Sequence, residues 1–86
     1  MHLTLLSRAY CHLCDEMETA LRPLIGAMPL AVIDIDAPEH AALEARYGDA
    51  VPLLFAGDPA QGRELSRYRL DAVRVLALLA ESAEIR

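Results

Sequence analysis

Two cysteines with two residues between them, Cys11-His12-Leu13-Cys14, stand where an apolar run gives way to a helical period. Ahead of them, Leu3-Thr4-Leu5-Leu6 is short, apolar and closed by Ser7, which suits a buried strand. From His12 to about Arg22, the residues Leu13, Met17, Ala20, Leu21 and Leu24 fall near one stripe, as an amphipathic helix requires. Residues three apart on a helix share a face, so the two sulfurs come within disulfide reach. Asp15 and Glu16 fall in the first turn, where carboxylates complement the positive end of the helix dipole. Pro23 cannot donate a backbone hydrogen bond, so the helix is expected to kink or stop there. Gly26 and Pro29 confirm a break.

The remainder alternates in the same way. Leu30 to Ile35 reads as a second strand. Asp36-Ala37-Pro38-Glu39 is a helix-start signature, with Asp36 as the expected cap and Glu39 at the capping-box position. That helix runs through Leu43 to Tyr47 and ends at Gly48. Val51-Pro52-Leu53-Leu54-Phe55-Ala56 is a third strand that opens with proline, where no ladder donor is needed. A turn over 57–62 leads to Arg63 through Tyr68, a fourth strand expected at a sheet edge because its charges guard against edge pairing. Asp71 caps a last helix through Val75, Leu76, Leu79 and Ala80. The order β-α-β-α-β-β-α begins with a βαβ unit, whose strands are parallel and whose crossover is right-handed. A four-stranded mixed sheet with helices on both faces covers every apolar stripe.

Composition excludes several functions. The chain has 86 residues, room for one domain spanning 1–86. Eight arginines and no lysine stand against thirteen acidic residues, a net charge of −5, which argues against nucleic-acid binding. The longest apolar run, Ala27 to Ile33, is too short to span a membrane. The first eight residues lack the apolar length and cleavage site of a secretory signal, so the cytosol is the expected compartment. Two cysteines are too few for a disulfide scaffold, and in a reducing compartment such a pair points to redox chemistry or metal.

The placement of the pair decides its expected chemistry. Free N–H groups and the dipole at a helix N-terminus favour a thiolate on Cys11, and the thiolate is the nucleophile in disulfide exchange. Cys14, one turn deeper, would resolve the mixed disulfide that Cys11 forms. A protonated His12 would lower the Cys11 pKa further, whereas Asp15 and Glu16 would raise it, so a moderate lowering is expected. Two other readings remain beside this one. Free cysteine is often a small buried hydrophobe. Zinc would need four ligands, but only His2, His12 and His40 add to the pair, and His12 lies between the two cysteines on a tight turn. Attached c-type haem would need His where Asp15 stands.

Four features together resemble the glutaredoxin branch of the thioredoxin-like fold, in particular the short bacterial glutaredoxin-like proteins. They are the C-x-x-C at 11–14, Arg8 three residues before it, Asp34-Ile35-Asp36 and Val51-Pro52. The resemblance runs over nearly the whole chain. It implies that Pro52 follows a cis peptide bond and faces the cysteines, with the Val51 backbone pairing to a bound peptide or to glutathione. It also implies that Arg8 lies near a glutathione carboxylate. The chain departs from the pattern with His12-Leu13 between the cysteines, Ala50 in place of threonine, and Ser66 to Asp71 without a glycine pair. The thioredoxin pattern fits less well, since no Trp precedes Cys11 and no Gly-Pro separates the cysteines.

The expectation is thus a monomeric thiol–disulfide oxidoreductase acting in cell redox homeostasis, with Cys11 as nucleophile and Cys14 as resolver. Arg8, Tyr10, His12, Val51 and Pro52 are the expected substrate-binding residues, and Tyr68 is a second candidate for lining the groove. The expected partners are a disulfide-bearing protein or glutathione and a recycling reductant. No metal or organic cofactor is expected, apart from glutathione as a co-substrate. Arg63, Arg67, Arg69 and Arg74 form either a surface for an acidic partner or a solvated face. Two alternatives are a catalytically silent binding module of the same fold and an iron–sulfur carrier.

Overall fold

The computed structural model describes residues 1–84. The Leu3-Thr4-Leu5-Leu6 run forms β1 (Leu3–Ser7), a central strand with both faces covered. The chain continues as α1 (His12–Ile25), β2 (Leu30–Asp34), α2 (Ala41–Tyr47), β3 (Leu53–Ala56), β4 (Arg63–Arg67) and α3 (Ala72–Glu84). Short 3-10 turns over Pro38–His40 and Gly48–Ala50 flank α2. The sheet order is β2-β1-β3-β4. β1 pairs parallel with β2 and antiparallel with β3, and β3 pairs antiparallel with β4.

Alternation along the strands divides the core between the two faces. Leu3, Leu5, Leu54 and Leu65 meet Met17, Leu21 and Ile25 of α1 and Val75 and Leu78 of α3. On the other face Leu6, Leu53 and Phe55 pack with Ile35 and Ala50, and Leu43 and Tyr47 of α2 lie against them. The Tyr47 and Phe55 rings meet edge to face at 5.5 Å. Two buried polar side chains are satisfied. Thr4 Oγ1 donates to the Gly57 carbonyl at 2.8 Å, and Ser66 Oγ accepts from the Asp71 N–H at 2.8 Å.

The structure corrects four local expectations. Pro23 neither stops α1 nor ends it early, because Leu21 and Ile25 on either side of it are buried against the sheet and carry the helix through. Asp36 does not cap the next helix. Ala37 stands at the start of the 3-10 turn without a side-chain cap, and the Asp36 carboxylate turns instead to Arg8. Val51 and Pro52 precede β3 and do not belong to it. β4 ends at Arg67, because Tyr68 has a left-handed backbone that no strand continues. Asp71 caps α3 as expected, its Oδ1 accepting the Arg74 N–H at 3.1 Å. Among the described residues no helix is long and apolar enough to cross a membrane.

Candidate active site

Strand register brings the site together. Ser7 at the end of β1 lies opposite Asp34 at the end of β2. Leu6 lies opposite Leu53 at the start of β3, and Leu53 lies opposite Arg67 at the end of β4. One end of the sheet therefore collects the segment from Arg8 to Cys11, the Asp36 turn, Val51-Pro52 and Tyr68.

The two cysteines are joined in a disulfide with their Cα atoms 5.2 Å apart. Cys11 is the N-cap of α1, with an extended backbone (φ −111°, ψ 102°). Its Sγ accepts the Cys14 N–H at 3.1 Å, and its carbonyl accepts the Asp15 N–H at 3.1 Å. A sulfur thus occupies the place that a serine or aspartate oxygen takes in an ordinary cap, facing the free N–H groups of the first turn. The burial of the pair is asymmetric. Cys14 is 1% exposed, whereas Cys11 is half-buried and open to an incoming group. An accessible first sulfur and a sheltered second one suit attack followed by internal resolution.

Around the pair the candidate residues divide. The Val51–Pro52 peptide bond is cis, and Pro52 is buried while Val51 is partly exposed. Arg8 is half-buried, with Nη2 at 3.4 Å from Asp36 Oδ1 and 3.6 Å from Glu44 Oε2. Its Nε is buried with no hydrogen-bond partner among the described residues. Two carboxylates of the chain itself therefore compete with any ligand for this guanidinium. His12 is exposed, with Nε2 at 3.9 Å from Glu16. Tyr10 stands fully in solvent with φ 57°. Tyr68 lines a groove. A groove of about 200 Å³ runs between Leu13, Glu16 and Met17 of α1 and the Tyr68–Leu70 segment. A second, of about 280 Å³, lies on the other side of Tyr68, between Glu44 and Arg46 of α2 and the turn at Asp49. Among the described residues no three His, Cys, Asp or Glu side chains converge as a metal site.

Sequence reasoning missed Asp36 and Glu44 as partners of Arg8, and Asp49 as a partner of Tyr68. The sequence carried only a weak signal for the first: Asp36 closes the acidic end of the second strand, directly beside the segment that follows β1. It carried none for the second, which depends on the fold of the Gly48–Ala50 turn.

A mixed four-stranded sheet, three helices and a disulfide at the first helix N-terminus define a thioredoxin-like domain with a dithiol site. The chain belongs to the glutaredoxin-like domain family (DUF836), whose family model matches residues 2–80. It is similar to protein Ne2328 from Nitrosomonas europaea, with 40% identity and a TM-score of 0.71 over 90% of this chain and 88% of that one. It is similar also to protein XcR50 from X. campestris, with 39% identity and a TM-score of 0.66 over 92% and 96% of the two chains. Thioredoxin 1 from Thermosipho africanus TCF52B, at 19% identity, shares the fold with a TM-score of 0.65 over 99% of this chain and 97% of its own.

Proposed function

We propose that this protein is a thiol–disulfide oxidoreductase that reduces protein or glutathione mixed disulfides with the Cys11–Cys14 dithiol. The observation that carries the reading is the bridged pair at the N-terminus of α1, with the accessible Cys11 sulfur in the cap position and Cys14 behind it. In the reduced protein the Cys11 thiolate attacks one sulfur of a substrate disulfide. A Cys11 mixed disulfide forms and the other substrate half leaves as a thiolate. Cys14 then gives up its proton and attacks the Cys11 sulfur, which restores the internal disulfide and releases the second thiolate. Two electrons pass from the dithiol to the substrate, and a thiol reductant (glutathione or a dithiol protein) must return them. A reducing compartment such as the cytosol suits this cycle. The helix N-terminus and the Cys14 N–H favour the Cys11 thiolate, the nucleophile of the first step.

One observation favours a reductant other than glutathione. Where glutaredoxins resemble one another in a glycine pair after the fourth strand, this chain runs from Ser66 to Asp71 without one, and Tyr68 lines the groove beside α1. A glutathione redox titration, quenched by alkylation and read by mass spectrometry, tests both points. A reversible Cys11–Cys14 disulfide with a glutathione adduct on Cys11 supports glutathione as the reductant. A reversible disulfide without adduct supports a dithiol reductase. No internal disulfide under any oxidising condition ends the two-cysteine mechanism. Cys14→Ser should accumulate the mixed disulfide, and Cys11→Ser should abolish exchange.

A further inference from the structure

Tyr68 carries more than its place on a groove wall. Its φ is 66°, a conformation uncommon for a residue with a bulky side chain. Such a backbone persists where the surroundings determine it, and here two hydrogen bonds do so. The Tyr68 N–H donates to the Pro52 carbonyl at 2.8 Å. The phenol O–H donates to the Asp49 carbonyl at 2.8 Å. One residue thus holds the loop on both sides of Val51. The residue is 45% exposed and stands between the two grooves at this end of the sheet.

We propose that Tyr68 is a positioning residue: it fixes the Asp49–Pro52 segment so that the Val51 backbone is presented to the chain flanking a substrate disulfide. The inference rests on the oxidoreductase reading above. Tyr68 touches no reacting atom, and Cys11 and Cys14 keep their chemistry without it. What it sets is the grip on an extended substrate. A small disulfide with no chain to hold gains nothing from that grip.

The test uses the full chain, prereduced, mixed with excess disulfide, and follows formation of the Cys11–Cys14 bond by quench and alkylation at several disulfide concentrations. The probes are insulin, whose disulfides sit within extended chain, and hydroxyethyl disulfide, which has almost none. Tyr68→Phe keeps the ring and the N–H bond and loses only the bond to Asp49. It is expected to raise the half-saturating insulin concentration about fivefold, the worth of one hydrogen bond, with the limiting rate unchanged. The rate on hydroxyethyl disulfide is expected to stay the same. Tyr68→Gly accepts the positive φ freely but loses ring and bond together, and should shift insulin further in the same direction. A Tyr68→Phe variant indistinguishable from wild type on insulin overturns the proposal. So does an equal loss on both disulfides, which marks a purely structural role. Wild type inert toward both probes overturns the oxidoreductase reading and this role with it, a pattern distinct from an active protein indifferent to Tyr68.

Discussion

At the scale of single residues, the chain depends on positions where the backbone leaves no room. Gly62 closes the turn between β3 and β4. A Cβ built there would run into the carbonyl oxygens of Ala56 and Asp58, which are backbone atoms and cannot swing aside. Gly62→Ala is therefore expected to cost about 1–3 kcal/mol, the range for forced overpacking, measured as a lower denaturant midpoint at unchanged slope. Gly26 behaves differently. It has φ 56° but open space around its Cβ position, so only its backbone conformation resists substitution. The residues that carry the candidate chemistry were legible because they follow from identity and spacing. A cysteine pair at a strand–helix junction says what it can do before any coordinate is known. The partners of Arg8 and Tyr68 were not legible, because they depend on which turn carbonyl or carboxylate arrives from a distant segment.

At the scale of elements, α1 shows tertiary packing overriding a local signal. Pro23 has no N–H to return to the Thr19 carbonyl, and that loss pointed to an early helix end. Burial of Leu21 and Ile25 outweighs it, and the helix runs on to Gly26, whose N–H bonds the Arg22 carbonyl at 3.2 Å. Pro23→Ala restores the missing donor at an exposed position. It is expected to stabilise the protein by about 1–2 kcal/mol, less than the full helix-propensity difference because the unfolded chain also gains freedom. A thermal midpoint equal to or below that of wild type would show that the carbonyl at Thr19 is already satisfied by solvent. Edge strand β4 supplies a pH-dependent contribution. The Arg67 guanidinium donates to both Glu64 carboxylate oxygens, at 3.1 and 2.9 Å, and these bonds, with the nearby positive charge, hold the Glu64 pKa below its ordinary value. A carboxyl depressed in the folded state stabilises above its unfolded pKa, and the stabilisation fades as pH falls through the folded value. Glu64→Gln should thus lower the thermal midpoint slightly near neutrality, and the gap to wild type should close on acidification. A gap that widens toward acid would contradict the pairing. Element order was legible from periodicity, and the misplaced boundaries at Pro23, Asp36, Val51-Pro52 and Tyr68 are places where a contact from elsewhere in the chain decides.

At the scale of the molecule, the sheet separates two cores that are unequally covered. One face is covered by α1 and α3, which between them bury Met17, Leu21, Ile25, Val75 and Leu78. The other is covered by α2, which buries no residue fully and leans Leu43 and Tyr47 on the sheet. Leu53 and Leu54 are neighbours in β3, both wholly buried, and they point into opposite cores. Truncating a buried leucine costs about 2–5 kcal/mol, and the value depends on how far the surroundings collapse into the void. Two long helices locked against each other and the sheet cannot follow Leu54, so Leu54→Ala is expected near 5 kcal/mol. The short, half-exposed α2 can settle inward after Leu53→Ala, which is expected near 2 kcal/mol. Against a total stability of about 5–15 kcal/mol for a domain, the first variant approaches unfolding and the second does not. Equilibrium urea unfolding of the two variants measures both. The reverse order would mean that the α2 face is the stiffer one. The cysteines would then sit on the more yielding side of the sheet, since α1, which carries them, belongs to the core of Leu54.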